Sequence, residues 1–358
     1  MESPQSIDNF HTIIMKSSVA GLSYELHFNL WNSKANGIDF LDVGLMCPLQ
    51  ATSYTIDLSF PGNYSETSQI ECINHLIQKT AIACNIFNCG MNLHDATNFK
   101  YAEKDGCIIL ISNYKTDQHE NPYSIPEKKD HPSSDVAKLT KDSSKESLRT
   151  TIHISVSSKK DVSNFSSASC HDLPQKEYFR FRIHNFDLKP FSTEASSETN
   201  FLVPVYEKDT IVDFRINDTM LMSSDDQAKL DTDPVFFDKI HFLLIEDLMS
   251  KITIKDPEVT IRLFENSKWE DYLGKAVPKP MLAYHYRKKK KDSNITSASF
   301  LAKKEESHIK YKSVVYYIAA ALLIGLIVNA ISSLTLHIPT LFFILFFSYF
   351  LLWGANEH

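Results

Sequence analysis

The sequence predicts a mainly β fold, antiparallel and sandwich-like with some α, followed by a C-terminal hairpin of two transmembrane helices. Many short runs alternate apolar with polar residues and are bounded by Asn, Gly, Ser or Pro, a pattern typical of half-buried strands. Amphipathic helical patterns are few, and residues 313–355 contain no Asp, Glu, Lys or Arg. Many short strands with few helices favour an antiparallel sandwich or a pair of β-rich subdomains.

The predicted strands fall into two stretches separated by a polar segment. In the first stretch, 1–113, one helix is expected over about 67–84, and strands are predicted at 10–16, 22–31, 38–46, 52–60 and 107–113. In the second stretch, 150–284, strands are predicted at 150–156, 177–184, 210–217, 236–245 and 259–265. Residues 114–149 are polar, charged and interrupted by proline, so they are predicted to form a linker or a disordered insertion. Whether the two stretches pack as one unit is left open.

The composition bounds the class of protein. A chain of 358 residues with 43% hydrophobic residues is long enough for a sizeable core in one or two domains. Collagen, disulfide-rich scaffolds and wholly disordered chains are excluded. The sequence has no phosphate-loop, dinucleotide-binding, nucleophile-elbow or zinc-protease signature, and its 9 glycines leave little material for Gly-rich loops. We therefore expect no enzymatic activity and assign no catalytic residue.

The spacing of cysteines and histidines predicts neither a metal centre nor a cofactor. Cys84 and Cys89 are separated by four residues, but no second pair follows them. In a cytosolic chain the 6 cysteines are expected to be reduced, buried thiols. Histidines such as His27, His75 and His241 are spread along the chain, so they are expected to be ordinary core or surface residues.

The uncharged run at the C-terminal end predicts a membrane hairpin. It is too long for one spanning helix, which needs about 20 residues to cross a hydrocarbon core of about 30 Å. The apolar run is interrupted near Asn329, Ser332 and Ser333, with Pro339 just beyond, and a tight polar turn is expected there. We therefore predict helices over about 313–331 and 334–353. The alternative, one long buried helix of a soluble protein, is disfavoured because the run has no amphipathic stripe.

A basic segment, 285–312, precedes the hairpin and predicts its orientation. It contains nine Lys or Arg residues against three acidic ones. The positive-inside rule then predicts a multi-pass protein of the inner (cytoplasmic) membrane, with the N-terminal domain and the C-terminal tail in the cytosol. Residues 1–20 lack a signal-peptide pattern, so the hairpin is expected to insert after the N-terminal part is made. Contact with anionic lipid headgroups is predicted for the basic cluster Arg287, Lys288, Lys289, Lys290 and Lys291.

The two predicted spans differ in side-chain character. The first carries small or polar residues at a spacing of four, Ala321, Gly325 and Asn329, which favours close helix–helix contact and a homo-oligomer. The second is rich in phenylalanine, which favours contact with lipid or a hydrophobic gate. Two interpretations stay open, a plain anchor in the lipid bilayer and an oligomerising hairpin that perturbs or perforates it.

Arginines on two predicted strands form a candidate anion contact. Alternation puts Arg180 and Arg182 on one face of the strand 177–184, and Arg215 has the corresponding place on the strand 210–217. If the strands are neighbours, three guanidinium groups share one surface, and such planar donors suit phosphate or carboxylate recognition. The alternative is a salt-bridged outer face in which these arginines pair with acidic residues, Asp213, Glu177 or Glu207.

The layout of the chain resembles that of the two-span membrane effectors of bacterial antiphage defence systems, both retron-associated and cyclic-oligonucleotide-activated. The likeness is carried by the order of the parts: a β-rich part over 1–284, the basic segment, and the Phe-rich double span. The resemblance implies a cytosolic domain that senses a signal or is held inactive by a partner. It also implies growth arrest through loss of membrane integrity. The implied partners are a regulatory protein, a reverse transcriptase with its RNA/DNA product, or a second messenger.

Two other functions fit the same layout. In the first, the hairpin only localises a passive binding or scaffold domain at the membrane. In the second, polar residues from several strands form the site of an unrecognised membrane-bound enzyme. Replacing the hairpin with an unrelated anchor separates the effector from the passive protein.

Overall fold

The computed structural model describes most of the β-rich part of the chain and one C-terminal helix. The described residues are 12–62, 70–87, 89–95, 99–112, 139–142, 149–156, 158, 173–196, 205–254, 258–291, 293–309 and 314–333. The fold is mainly β, as the sequence predicts. In chain order the strands are β1 (Ile14–Ser17), β2 (Ser23–Ser33), β3 (Ile38–Pro48), β4 (Tyr54–Pro61), β5 (Ile70–Cys72), β6 (His94–Asp95), β7 (Phe99–Lys104), β8 (Cys107–Ser112), β9 (Leu139–Asp142), β10 (Arg149–Val156), β11 (Gln175–His184), β12 (Ser192–Ser196), β13 (Val205–Ile216), β14 (Phe236–Asp247), β15 (Lys251–Thr253), β16 (Thr260–Leu263), β17 (Met281–Lys289) and β18 (Ala298–Ile309).

Short helices connect the strands, and one long helix follows them. The short ones are α1 (Asn74–Ile77), α2 (Thr80–Phe87), α3 (Ser224–Thr232) and α4 (Glu270–Leu273), and the long one is α5 (Val314–Ser333). The helix predicted over 67–84 is instead divided into β5, α1 and α2, because Ile70 and Cys72 pair with the edge of β11. Helix α2 ends at Phe87.

The chain divides into two compact units. Unit 1 comprises Met1–Thr193 and Thr210–Lys304, and unit 2 comprises Glu194–Asp209 and Glu305–His358. Strands from both predicted stretches share the large sheet of unit 1, so 1–113 and most of 150–284 form one body. Within unit 2, Lys208 and Glu194 form an ion pair at 2.6 Å.

Three sheets are formed by the described strands. The largest has the order β16-β17-β14-β2-β3-β11-β8-β7-β6, with β5 also paired to β11, and the four-stranded sheets have the orders β1-β4-β10-β9 and β12-β13-β18-β15. Most pairs are antiparallel, but β14 runs parallel to β2 and β11 parallel to β8. One core cluster takes side chains from all three sheets, for example Phe28, Leu58 and Phe214.

The other face of the large sheet is covered by helices. Trp31 of β2 packs with Ile73, Ile82, Trp269 and Tyr272, which belong to or adjoin α1, α2 and α4. The candidate site lies beside these helices, over the polar part of the same sheet face.

Two segment boundaries differ from the prediction. Leu139–Asp142, inside the predicted linker 114–149, pairs with β10 as an edge strand through main-chain hydrogen bonds, while most of that linker lies outside the described residues. The predicted juxtamembrane segment 285–312 is largely folded into β17 and β18. Its residues Arg287, Lys288 and Lys289 end β17, so they pair with β14 in the large sheet of unit 1.

Helix α5 is long and apolar enough to cross a membrane. Its 20 residues have high mean hydropathy and no buried share in their apolar window among the described residues. At about 1.5 Å per residue they match a hydrocarbon core of about 30 Å. This helix agrees with the first predicted span, 313–331. The second predicted span, 334–353, lies outside the described residues.

Candidate anion-binding site

Three adjacent strands of unit 1 present a grid of side chains on one face of the large sheet. Successive residues of a strand face opposite sides, so core residues such as Phe28 and Phe242 alternate with residues of the opposite face. The strand register aligns these residues in three rows across β2, β14 and β17, namely Glu25–Lys239–Lys289, His27–His241–Arg287 and Asn29–Leu243–His285.

A cavity of about 280 Å³ lies over this grid. Its lining comprises the nine grid residues and, from surrounding elements, Asn85, Ile86, Phe87, Cys89, Lys104, Asp105, Arg180, Arg262 and Trp269. Pockets for small ligands begin at about 300 Å³. The cavity therefore has the size of a site for a small molecule or for one charged group of a larger one.

Cations outnumber carboxylates in the lining. Six side chains are Lys or Arg, and two, Glu25 and Asp105, are acidic. Lys239 lies 3.4 Å from Glu25 and 3.7 Å from Asp105, so it is already paired. Among the residues that the structure describes, Arg287 and Lys289 form no hydrogen bond or ion pair with a carboxylate. The cavity thus has unbalanced positive charge, which favours an anionic ligand.

Three histidines meet in the middle of the lining. His241 Nδ1 lies 2.9 Å from His285 Nε2 with the rings stacked, and the ring of His27 meets that of His241 edge-on at 4.7 Å. Burial first, and then neighbouring His285 and Lys239, lower the pKa of His241 to about 3. Burial followed by Arg262 and Arg287 lowers the pKa of His285 to about 4. The pair is therefore neutral at pH 7.

His27 is the most enclosed of the three. Burial, and then the neighbouring His241 and Arg180, lower its pKa well below the ordinary value. Its Nδ1 lies 3.2 Å from the Tyr178 hydroxyl, which accepts a hydrogen bond from Arg180 Nη1 at 2.9 Å. In the part of the chain that the structure describes, His27 Nε2 is buried and has no hydrogen-bond partner.

A buried ionic network holds Arg180 in place beneath the histidines. Arg180 is 1% exposed, and its Nε donates to the Tyr272 hydroxyl at 2.6 Å. That hydroxyl donates to Asp42 Oδ2 at 2.5 Å, and Arg182 Nε donates to Asp42 Oδ1 at 2.7 Å. With its amide oriented so that both groups are satisfied, Asn29 accepts from Arg180 Nη2 at 2.6 Å. Since its three nitrogens are all engaged, Arg180 positions other groups rather than offering a free cation.

The three arginines predicted as an anion contact do not share a surface. Arg180 and Arg182 lie on β11, where helices cover the face predicted to be outside, and only Arg180 lines the cavity. Arg215 lies on β13 in a different sheet. Its guanidinium pairs with Asp213 at 2.6 Å and Asp218 at 2.8 Å, as the salt-bridge alternative predicts for Asp213.

The basic cluster predicted to contact lipid is divided by the alternation of β17. Arg287 and Lys289 belong to the cavity grid, whereas Lys288 Nζ donates to the Ser297 carbonyl at 3.0 Å. Lys291 lies 3.5 Å from Glu258, and the backbone N–H of Lys290 donates to the Asp238 carbonyl. Contact of these residues with lipid headgroups stays a prediction.

The residues predicted for helix–helix contact lie on α5. Ala321, Gly325 and Asn329 are four residues apart, so they fall along one side of that helix. Among the described residues, none lies within 4 Å of a Cβ added at Gly325. Their contact with a second helix stays a prediction.

The histidine cluster was missed by sequence reasoning, which treated His27 and His241 as unrelated. A signal was present in the runs ELHFN, KIHFL and HYRKK. In each run, every second residue is a histidine or a charged or amide residue, except Leu243. The pairing that brings them together is parallel and joins strands far apart in the chain. Local alternation does not specify such a pairing.

Comparison of the chain with protein families, curated proteins and solved structures finds no match. The cavity and the apolar helix are therefore the features from which we infer a function.

Proposed function

We propose that this protein is a membrane-anchored effector whose β-rich unit 1 senses a small anionic signal in the grid cavity and whose C-terminal segment acts on the membrane. The observation that carries the proposal is the unbalanced positive charge of Arg287 and Lys289, two exposed side chains at a cavity that is also lined by three histidines. A chain that joins such a site to an apolar helix of spanning length has both parts of a sensor and its output.

The chain path supports a connection between the two parts. β17, which carries Arg287 and Lys289, is followed directly by β18, and β18 precedes α5. β18 is also tied to the cavity strand β14, because Lys304 Nζ donates to Glu246 Oε2 at 2.8 Å with both side chains largely buried. A ligand that shifts β14 or β17 would therefore bias the strand that leads to the helix.

The membrane topology is part of the proposal. The excess of basic residues before α5 supports a cytosolic unit 1, and the uncharged run beyond α5 supports a second span and a cytosolic tail in the inner membrane. The ridge of Ala321, Gly325 and Asn329 supports a homo-oligomer in the active state. The layout supports a role in antiphage defence with a regulatory protein or nucleoprotein partner, which is a reverse transcriptase with its RNA/DNA product in the retron-type case.

Binding rather than catalysis is proposed for the cavity. Its two carboxylates are close to lysines, Glu25 to Lys176 and Lys239, and Asp105 to Lys104 and Lys239. Carboxylates held in this way balance charge and favour a fixed binding surface over general acid–base work. The passive tethered protein remains the competing function, and the following experiment separates the two.

The test measures membrane potential in a bacterial host after strong induction. Three forms are compared: the full chain, the chain ending at Lys312, and the chain with 313–353 replaced by an unrelated two-span anchor. If the protein is an effector, the full chain depolarises the membrane. Both altered forms then lose this effect, although the anchor-swapped form still fractionates with membranes. Equal effects of the full chain and the anchor-swapped form would reduce the protein to a tethered binding domain.

A further inference from the structure

We infer that the grid cavity is a phosphate site, in which His27 presents a fixed neutral N–H donor and Arg287 with Lys289 supplies the positive charge for a small polyphosphorylated ligand. The inference rests on the proposed function, for which it names the chemical class of the signal.

The tautomer of His27 follows from the groups behind it. A guanidinium only donates hydrogen bonds, so the Tyr178 hydroxyl accepts from Arg180 and has its own proton left to place. Burial raises the pKa of Tyr178, so that proton is retained. His27 Nδ1, at 3.2 Å, is the acceptor that the described residues offer it. The neutral imidazole therefore carries its proton on Nε2.

The same direction of donation runs back to a carboxylate. Asp42 only accepts, so the Tyr272 hydroxyl donates to it and accepts from Arg180 Nε. Asp42 and Tyr272 therefore hold the guanidinium, the guanidinium orients Tyr178, and Tyr178 orients His27. Each donor in this chain of hydrogen bonds has an assigned acceptor except one. The exception is the N–H at His27 Nε2, which has no acceptor in the described part of the chain.

An unpaired buried donor is costly, and a ligand acceptor in the cavity removes that cost. Because His27 is neutral, it adds a hydrogen bond without repelling Arg287 or Lys289. Neutral His241 and His285 likewise offer polar contacts without further charge. Anion sites that must hold several oxygens use such a mixture of neutral donors and fixed cations.

The charge of the cavity favours phosphate over a single carboxylate. The lining holds six cationic and two acidic side chains. Asp42 balances Arg180, and Lys104 and Lys239 lie beside Glu25 or Asp105. Arg287 and Lys289 therefore supply the uncompensated charge. His27 and Arg287 lie on strands separated by one strand, a span of roughly 10 Å between backbones at about 4.8 Å per strand. One carboxylate has two oxygens and one charge, whereas a diphosphate offers several charges and oxygens to the side chains that converge from these strands. The cavity volume of about 280 Å³ selects a small compound over a nucleic-acid strand.

The first test is calorimetry with inorganic pyrophosphate as the probe and the full chain in phosphatidylcholine nanodiscs. We expect saturable binding to the full chain, and about tenfold or greater weakening in R287Q/K289Q. The matched control is K290Q/K291Q, which removes the same charge from the same basic cluster outside the cavity and leaves affinity unchanged. No saturable binding, equal affinity for malonate, or equal losses in the two double variants would overturn the inference.

The source of the phosphate is distinguished by adding phosphatidic acid to the nanodiscs. Unchanged pyrophosphate affinity assigns the site to a free ligand. Competition by phosphatidic acid that is lost in R287Q/K289Q assigns the same phosphate chemistry to a lipid headgroup. Competition that survives in R287Q/K289Q places phosphate binding elsewhere on the chain and contradicts the cavity assignment.

The second test concerns His27 itself. In H27Q the amide nitrogen keeps a terminal N–H donor, so pyrophosphate affinity stays within about threefold, whereas H27M removes the donor and weakens binding about tenfold. Solid-state NMR of the chain with ¹⁵N-labelled histidine, with the His27 signals assigned by their loss in H27Q, reads the tautomer directly. A proton on Nδ1 would overturn the inference even in variants that fold normally.

The two proposals fail separately. If pyrophosphate does not bind but the anchor-swapped chain loses its effect on membrane potential, the effector stands and the phosphate assignment falls. If pyrophosphate binds but the anchor swap has no effect, the phosphate site stands in a passive membrane-tethered protein.

Discussion

Gly44 lies directly opposite His27 on the neighbouring strand, and its missing side chain makes room for the hydroxyl that binds His27. A Cβ at Gly44 would stand 2.8 Å from Tyr178 Cζ and 3.0 Å from Arg180 Nη1. The same glycine is also opposite Arg180 on its other side. The hydrogen bonds from Arg180 to Tyr178 and from Tyr178 to His27 therefore cross β3 at Gly44, where no side chain blocks them.

Gly44→Ala tests this relationship. The added methyl group displaces Tyr178 or Arg180 in a packed interior, and we expect a loss of about 1–3 kcal/mol in the free energy of unfolding. The measurement is urea denaturation of the full chain in detergent. Gly90→Ala is the control, since no atom of the described residues lies within 4 Å of that added methyl group, and its stability should stay within about 0.5 kcal/mol of the parent. Equal effects would show that the path across β3 does not depend on Gly44.

Asp42→Asn tests the ionic network below the cavity. Asp42 is fully buried and accepts from Arg182, Tyr272 and Trp31. Loss of its charge leaves two buried guanidinium groups without their carboxylate, so we expect about 3–5 kcal/mol of destabilisation. Asp57→Asn is the control, because Asp57 pairs with His153 at a partly exposed position and should cost about 1 kcal/mol or less. A small effect of Asp42→Asn would mean that the arginines have other compensation.

Acid should destabilise unit 1 through the histidine cluster. The pKa of His241, about 3, and of His285, about 4, are depressed in the folded protein. The unfolded chain binds these protons at an ordinary pKa of about 6.5, so stability is complete above that pH and is lost as the pH falls towards the folded values. Between pH 7 and 5 we expect a loss of up to about 2 kcal/mol for each histidine.

Thermal unfolding followed by circular dichroism between pH 7 and 5 checks this pH dependence. H241Q/H285Q should show a shallower decline of the melting temperature with pH than the parent protein. His75→Gln, a change at an exposed histidine, is the control and should keep the parental slope. Identical slopes in all three proteins would contradict the burial of neutral histidines in the cavity.

Glu246→Gln tests the connection between the cavity strands and β18. Its carboxylate accepts from Lys304 and Asn32, so the amide weakens a buried ion pair and should cost about 3–5 kcal/mol in urea denaturation. If the pair connects ligand binding to the helix, pyrophosphate affinity is kept while membrane depolarisation is reduced. Glu194→Gln, at a half-exposed pair, should change neither property. Full depolarisation by a folded Glu246→Gln protein would remove this connection.

Much of the fold was predictable because alternation specifies a strand locally. The runs 22–31 and 236–245 became β2 and β14, and the uncharged run produced α5 within two residues of its expected ends. The parallel pairing of β2 with β14 was not predictable, since residues on strands so distant in the chain carry no local mark of their partner. The short strand β9 was missed because it lies in a polar stretch without the alternation typical of strands, although it pairs with β10.

The candidate site was predictable only in its chemistry. Arg182 of β11 pairs with the buried Asp42, a partner that neither predicted alternative named. Alternation cannot distinguish a strand with one exposed face from a strand covered on both faces. It also could not show that Arg287 and Lys289 of the basic run turn towards the same cavity as His27.

Depolarisation of the host membrane by R287Q/K289Q and by K290Q/K291Q, measured side by side with the full chain, tests the central claim most directly. Both double variants lose two positive charges from the same run, but only the first removes them from the cavity. The account predicts that K290Q/K291Q depolarises like the full chain and that R287Q/K289Q does not. Equal depolarisation by all three proteins would show that the cavity does not control the membrane segment.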